Sequence, residues 1–129
     1  RVLLDTCVLL WYFEGSARIP RELRRTLTDP ANEVFASDVS VLEIVLKHSL
    51  GKISLPRPPS ILLPRLLERH LIDELPLTRG AIFRLESLPP LHKDPFDRLL
   101  IAQALEHGLQ LATPDPLIRQ YDVDTTWAR

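Results

Sequence analysis

Four acidic side chains stand where their types and spacing could support chemistry. Asp5 and Asp115 each follow a short apolar run, and Asp97 lies in the first turn of a strongly apolar segment. Glu43 is flanked by apolar neighbours on both sides. A carboxylate beside a buried run is unfavourable unless something cationic meets it. The four acids are therefore candidates for one shared site.

The chemistry such a site would perform follows from its charge. Three or four converging carboxylates repel one another by several kcal/mol at low dielectric unless a divalent cation neutralises them. Oxygen ligands without a Cys or His cluster favour Mg²⁺ or Mn²⁺ over Zn²⁺. Such a cation suits phosphodiester hydrolysis, because it activates water, orients the phosphate and stabilises the leaving oxygen. The spacing of the acids permits convergence and does not demonstrate it.

Each acid also has an ordinary structural interpretation. Asp5 fits a turn or a helix cap, and Asp115 fits a cap for a short helix at Leu117–Arg119. Glu43 lies four residues before Lys47, which is the spacing of a surface ion pair on a helix.

The third acid belongs to a helix start whose residues local physics explains well. Asp94 fits the N-cap, Pro95 the first helical position, and Asp97 a position where an acid complements the helix dipole. The helix that follows is apolar nearly all round. Its start is therefore predicted at a buried edge, with Asp97 turned away from bulk water.

The elements that must position these acids alternate along the chain. Predicted strands lie at residues 1–6, 33–37, 74–77, 109–113 and 123–127, and predicted helices at 7–13, 39–50, 61–71, 78–88 and 94–107. This alternation predicts a single three-layer α/β/α domain over residues 1–129, with a mostly parallel central sheet of about five short strands. The carboxyl ends of its strands would share one edge, where such sheets bind ligands.

Composition excludes several classes of protein. The 129 residues are 45% hydrophobic with a formal net charge of −1, which predicts a globular chain without a basic coating. Its apolar runs fall far short of the ~20 residues of a membrane span. The single cysteine and the lack of an export signal predict a cytoplasmic protein, with the natural start expected just upstream of Arg1.

The motifs around the acids resemble those of PIN-domain ribonucleases. They are, in order, Leu3-Leu4-Asp5-Thr6, Ser37 with Glu43-Ile44 and Lys47, Gly51-Lys52-Ile53, and the most specific stretch, His92-Lys93-Asp94-Pro95-Phe96-Asp97-Arg98-Leu99-Leu100-Ile101-Ala102-Gln103-Ala104. With Leu111-Ala112-Thr113-Pro114-Asp115 behind it, the chain resembles the toxin of a VapBC-type toxin–antitoxin pair. The resemblance runs from Val2 to Trp127.

This resemblance implies a PIN-like fold and a Mg²⁺- or Mn²⁺-dependent endoribonuclease toxin. Its catalytic and metal-binding quartet maps onto Asp5, Glu43, Asp97 and Asp115. The supporting residues it implies are Thr113, Thr6, Ser37 and Asp94, of which Asp94 is assigned mainly to the helix cap. Many relatives carry His where this chain has Cys7, which is interpreted as a buried packing thiol.

The resemblance also implies partners. They are an RNA substrate, a second copy of the chain in a homodimer, and a cognate VapB-like antitoxin, with no membrane involved. The C-terminal segment of such an antitoxin lies in the toxin's groove and sends a basic side chain into the acidic site. That agrees with the local chemistry, since an acidic pocket without metal attracts Arg or Lys.

Further residues are candidates for contacts around the site. The arginines at 18, 21, 24 and 25 are interpreted as either phosphate contacts or a solvated helix face. Lys47 and Lys93 lie nearer the predicted site, where either could meet a phosphate. The aromatic run Trp11–Phe13 fits an apolar groove better than a base-stacking platform. His92 is interpreted as a loop residue that bonds to the helix start.

Three other functions stay open. A catalytically idle PIN-fold binding module would keep the fold without cleavage, although all four acids are present. A receiver-like signalling domain shares the length and the Asp after the first strand, but needs an Asp ending the third strand and a Lys ending the fifth. The third strand is predicted to end near Leu77-Thr78. A structure-specific DNA nuclease would need helical insertions for which this chain has no room.

Overall fold

A computed structural model describes residues 1–127, and its centre is one parallel sheet. The five strands are β1 (Val2–Leu4), β2 (Val34–Ser37), β3 (Asp73–Leu75), β4 (Gln110–Ala112) and β5 (Thr125–Thr126). They pair in the order β3-β2-β1-β4-β5, and every pairing is parallel. β1 is therefore central, with β2 on one side and β4 on the other.

Helices cover both faces of this sheet. The described residues form α1 (Thr6–Glu14), α2 (Arg21–Thr28), α3 (Asp38–Ser49), α4 (Pro59–Arg69), α5 (Arg79–Phe83) and α6 (Pro95–His107). Successive residues of β1 face opposite sides. Val2 and Leu4 belong to a core shared with α1, α2 and α4, whereas Leu3 belongs to a core shared with α6. The predicted three-layer α/β/α fold is confirmed.

Local sequence signals position the ends of α6 as predicted. The Asp94 carboxylate accepts hydrogen bonds from the backbone N–H groups of Phe96 (2.8 Å) and Asp97 (3.3 Å), which makes it the N-cap. Gly108 ends the helix with φ 64°, a left-handed conformation that costs glycine little.

Some elements differ from their predicted form. The helix predicted over residues 78–88 is α5 followed by a 3₁₀ turn at Arg84–Ser87, and Leu88 is already extended. A residue before proline is disfavoured in the α conformation, and Pro89 follows here. The last strand shrinks to the two residues of β5 at the edge of the sheet. α2 was not assigned from the sequence, and it buries only Leu23 and Leu27.

A buried polar contact ties the second strand to α6. The fully buried Ser37 hydroxyl donates to Gln103 Oε1, and Gln103 Nε2 donates to the Pro76 carbonyl at 3.3 Å. Gln103→Leu is expected to cost about 2 kcal/mol of unfolding free energy, because it leaves the buried Ser37 hydroxyl without an acceptor and removes the donor to the Pro76 carbonyl. Urea unfolding measures this loss, with Gln120→Leu on the surface as the control. Equal stability of the two variants would contradict the assigned role of the contact.

Two further sequence predictions concern the extent of the domain and membrane-spanning segments. The single domain over residues 1–129 stays a prediction, and its last two residues lie outside the described ones. Among residues 1–127, no helix is long and apolar enough to cross a membrane.

Candidate metal centre

The central strand and its neighbour β4 bring the first acidic residues together. Asp5 follows β1 and Asp115 follows β4, and the Asp5 N–H donates to the Ala112 carbonyl at 3.0 Å. Thr113 Oγ1 donates to Asp5 Oδ2 at 2.7 Å and accepts the Asp115 N–H at 3.1 Å. One buried hydroxyl thus joins the ends of both strands. Thr113, predicted as a supporting residue, therefore lies in direct contact with Asp5.

Two helices supply the other acids. Glu43 lies midway along α3, and Asp94 and Asp97 lie at the start of α6. The predicted quartet and Asp94 line one cavity of about 250 Å³. The remaining lining residues are Thr6, Cys7, Leu10, Ile44, Lys47 and Ile53.

Glu43 is held on one side and open on the other. Lys47 Nζ lies 2.5 Å from Glu43 Oε2, so the predicted ion pair is present. That hydrogen bond, together with the nearby charges of Asp94 and Asp97, raises the pKa of Lys47. Glu43 is 5% exposed, and its buried Oε1 has no hydrogen-bond partner among residues 1–127. An unpartnered buried carboxylate oxygen is costly, which points to a ligand that the protein itself does not supply.

Burial and mutual repulsion disfavour the charged forms of two acids. Burial, and next the charges of Asp5 and Asp94, raise the pKa of Asp97 to about 7. Burial also raises the pKa of Asp5, against the lowering effect of the Thr113 hydrogen bond. The cavity therefore carries more negative charge than its single lysine neutralises.

His92 joins two of the acids more closely than the sequence indicated. Its Nε2 lies 2.9 Å from Asp97 Oδ2 and 3.0 Å from Asp115 Oδ2. Among the described residues, these three offer ligand atoms that lie within 4.8 Å of one another. Its Nδ1 accepts the Asp94 N–H at 3.2 Å, which is the bond to the helix start that the sequence predicted. The contact of Nε2 with Asp115 spans 23 residues, and no local sequence signal predicts it.

The structural interpretations of the acids hold to different degrees. Asp5 makes no capping hydrogen bond from its side chain, so a cap does not explain it. Asp115 Oδ1 accepts the Leu117 N–H at 2.9 Å, as a turn aspartate would, while its other oxygen faces His92. Asp94 caps α6 and lines the cavity as well.

The other predicted supporting residues divide between the cavity and the core. Thr6 lines the cavity, and its hydroxyl lies 2.8 Å from the Ser40 hydroxyl. Ser37 does not line it: its hydroxyl accepts the Val39 N–H and donates to Gln103. Placing Ser37 beside the site is therefore corrected, because the register that ends β2 turns its side chain into the core.

The donor set fits a hard divalent cation. Asp5, Glu43, Asp97 and Asp115 offer carboxylate oxygens, and Glu43 Oε1 is unpartnered. Burial, and next the charge of Asp5, raises the pKa of the Cys7 thiol to about 12. Carboxylate oxygens are hard ligands, so the cavity suits Mg²⁺ or Mn²⁺ better than Zn²⁺.

The chemistry of Cys7 gives a direct prediction. At pH 8 we expect iodoacetamide to alkylate Cys7 at least about 10³-fold more slowly than a free cysteine, because the thiolate is the nucleophile. Mass spectrometry over time measures the rate, and the same protein in urea serves as the control. Rapid alkylation of the folded chain would contradict the raised pKa of Cys7.

Several predicted surface contacts are used within the chain. The Arg18 guanidinium lies 5.3 Å from the Trp11 ring centroid, and Arg24 donates to the Ser16 carbonyl at 2.5 Å. The aromatic run packs against other side chains. The ring centroids of Trp11 and Trp127 lie 6.0 Å apart, and the rings of Tyr12 and Phe13 pack against the His70 ring. Lys93 is exposed and does not line the cavity.

A larger cavity, of about 420 Å³, lies at the opposite edge of the sheet. Val34 and Asp73, the first residues of β2 and β3, help to line it. Its acids are exposed, and one of them, Glu33, pairs with Arg1 at 3.2 Å. Size alone therefore does not identify the site, whereas the convergence of four acids and the unpartnered Glu43 oxygen do.

Comparisons with known proteins identify the family of this chain. A family model described as "PIN domain" matches residues 2–124. Ribonuclease VapC22 of Mycobacterium tuberculosis is 28% identical over 121 residues, which cover 93% of this chain and 91% of the relative.

Two solved structures show a similar fold. VapBC2 from Rickettsia felis, bound to a DNA fragment from its promoter, matches with a TM-score of 0.72 and 14% identity, over 97% of this chain and 96% of that one. DNA-bound VapBC from Salmonella typhimurium matches with a TM-score of 0.73 and 14% identity, over 99% of this chain and 98% of that one.

Proposed function

Because the chain belongs to the PIN-domain family, we propose that it is a Mg²⁺- or Mn²⁺-dependent endoribonuclease, the toxin of a VapBC-type pair. The observation that carries the proposal is the cavity in which four carboxylates converge, with a buried Glu43 oxygen that has no hydrogen-bond partner in the described part of the chain. The relative from Mycobacterium tuberculosis supports the choice of RNA as substrate, since its name is that of a ribonuclease.

Asp5, Glu43, Asp97 and Asp115 would hold the ion. When bound, a divalent cation lowers the pKa of a water molecule and offsets the charge of the scissile phosphate. Glu43 Oε1 is the free carboxylate oxygen that accepts a hydrogen bond from the attacking water in this proposal. Thr113 fixes Asp5 through its hydroxyl and keeps the two strand ends in register.

Lys47 is the cation placed to meet the substrate. Its side chain is 46% exposed at the edge of the cavity, while its ammonium pairs with Glu43. We assign it a phosphate contact that leaves the Glu43 ion pair in place, since an ammonium offers three donors. The RNA backbone would thereby lie over the acids.

The same charge supports the proposed antitoxin. An acidic cavity with one lysine attracts a basic side chain from a partner peptide. Two solved structures of similar fold are described as VapBC bound to DNA, which supports a VapB-like partner for this chain. We also propose a homodimer. Exposed apolar side chains of α3 support a protein contact there: Leu42, Val45 and Leu46.

Cleavage of labelled RNA by purified, antitoxin-free protein tests the proposal. We expect cleavage with Mg²⁺ or Mn²⁺, none with EDTA, and recovery when the ion is restored in excess. Inhibition by an Arg-containing peptide from an antitoxin encoded beside the gene would support the paired partner. Absence of cleavage with every divalent ion, in folded protein free of antitoxin, would favour the idle binding module instead.

A further inference from the structure

His92 makes contacts that the proposed cleavage chemistry leaves unused. It precedes α6, and its backbone N–H donates to the hydroxyl of buried Tyr121 at 2.9 Å. Its side chain is 11% exposed. Backbone and ring are therefore both fixed, so the ring is held in one orientation.

The hydrogen bonds of the ring determine which nitrogen carries the proton. A backbone N–H only donates, so the Nδ1 that accepts the Asp94 N–H is unprotonated. In the neutral imidazole the proton then lies on Nε2. This nitrogen faces Asp115 Oδ2 at 3.0 Å and Asp97 Oδ2 at 2.9 Å. Its N–H forms a hydrogen bond with Asp115 Oδ2, and Asp97 Oδ2 lies within ion-pair distance of the same nitrogen.

This placement offsets the repulsion between two acids from different elements. Asp97 comes from α6 and Asp115 from the segment after β4. His92 is not among the residues that line the cavity, although its ring contacts two of the acids that do. Each carboxylate keeps further lone pairs for an ion.

We propose that His92 is a positioning residue that, through the Nε2–H bond to Asp115 and the contact of the same nitrogen with Asp97, holds the two carboxylates side by side for the divalent ion. The inference rests on the proposed metal site and adds a residue that does not itself ligate. Donors behind metal ligands fix ligand orientation, and losing one typically weakens metal binding 10- to 100-fold.

Two substitutions separate the functions of the two ring nitrogens. Glutamine places an amide N–H near the position of Nε2, so His92→Gln is expected to bind Mn²⁺ with nearly the wild-type Kd. Asparagine ends near the position of Nδ1, so His92→Asn keeps an acceptor for the Asp94 N–H and loses the donor. We expect the Kd of His92→Asn for Mn²⁺ to rise about 10- to 100-fold. Titration followed by electron paramagnetic resonance measures both values.

Two spectroscopic readouts complete the test. In metal-free protein at pH 8, ¹⁵N resonances of the His92 ring should show a proton on Nε2 alone, with His92→Gln identifying the signals. Electron spin echo modulation of the Mn²⁺ complex should show no directly bound nitrogen. A proton on Nδ1, or a nitrogen bound to the ion, would overturn the proposal.

The outcomes also distinguish this inference from the proposed function. If wild-type protein binds Mn²⁺ and both variants bind it equally, the positioning role is wrong and the metal site stands. If wild-type protein binds no Mn²⁺, both fail together. If both His92 variants lose the same thermal stability and have the same Kd for Mn²⁺, His92 is purely structural and the positioning role is wrong.

Discussion

Asp5→Asn and Asp97→Asn are each expected to reduce the rate of RNA cleavage by about 10³-fold or more. The amide keeps the size of the side chain but removes a negative charge from the cavity that would hold the ion. Loss of the several kcal/mol that such an ion supplies to the transition state corresponds to this factor. In Asp5→Asn the amide oxygen would still accept the Thr113 hydroxyl, so the strand ends should remain joined.

Initial rates on labelled RNA at saturating Mn²⁺ measure the effect. Asp122→Asn is the matched control, because Asp122 is exposed and does not line the cavity. Its rate should equal that of wild type. Cleavage that survives both Asp5→Asn and Asp97→Asn would indicate a contaminating nuclease or a different site, and the proposed mechanism would be wrong.

The second large effect concerns stability and pH. In EDTA at pH 8, Asp97→Asn is expected to raise the unfolding free energy by about 2 kcal/mol. The cause is the pKa of Asp97, which burial and then the charge of Asp5 raise from 3.8 to about 7. Below pH 3.8, the pKa of the unfolded state, the Asp97 carboxyl is neutral in the folded and the unfolded state, and its burial does not reduce the unfolding free energy. As pH rises from there through about 7, the folded state must accept a buried charge and loses stability.

Urea unfolding at pH 4, 6 and 8 measures this dependence for wild type, Asp97→Asn and Asp122→Asn. The advantage of Asp97→Asn over wild type should vanish at pH 4 and be complete at pH 8. Added Mn²⁺ should then reverse the order, because a ligand of the native state stabilises the protein that binds it. A destabilised Asp97→Asn at pH 8 in EDTA would show that the Asp97 carboxylate is not under repulsion. If Asp97→Asn is as stable as wild type or more stable, unfolding does not explain its loss of RNA cleavage.

The alternation of strands and helices was predicted from the sequence because it depends on short-range patterns. Apolar periodicity, the Asp94 cap and the Gly108 stop act over a few residues, and each is visible in the chain itself. These signals also located Asp5 and Asp115 after strands, and Asp97 at a helix start. Where local signals compete, as between a continuing helix and the prolines after Leu88, the predicted bounds were wrong.

The sequence by itself therefore determined the fold class and the candidate acids, whereas the tertiary structure decided their neighbours. The strand order places β1 between β2 and β4, so Thr113 contacts Asp5 across 108 residues. The same packing turns Ser37 onto Gln103, away from the cavity, and brings His92 to Asp97 and Asp115. The periodicity of apolar residues predicts which face of a helix or strand is buried, but it does not indicate which other element packs against that face. Contacts between distant segments arise only when the whole core is packed, and so does the site they form.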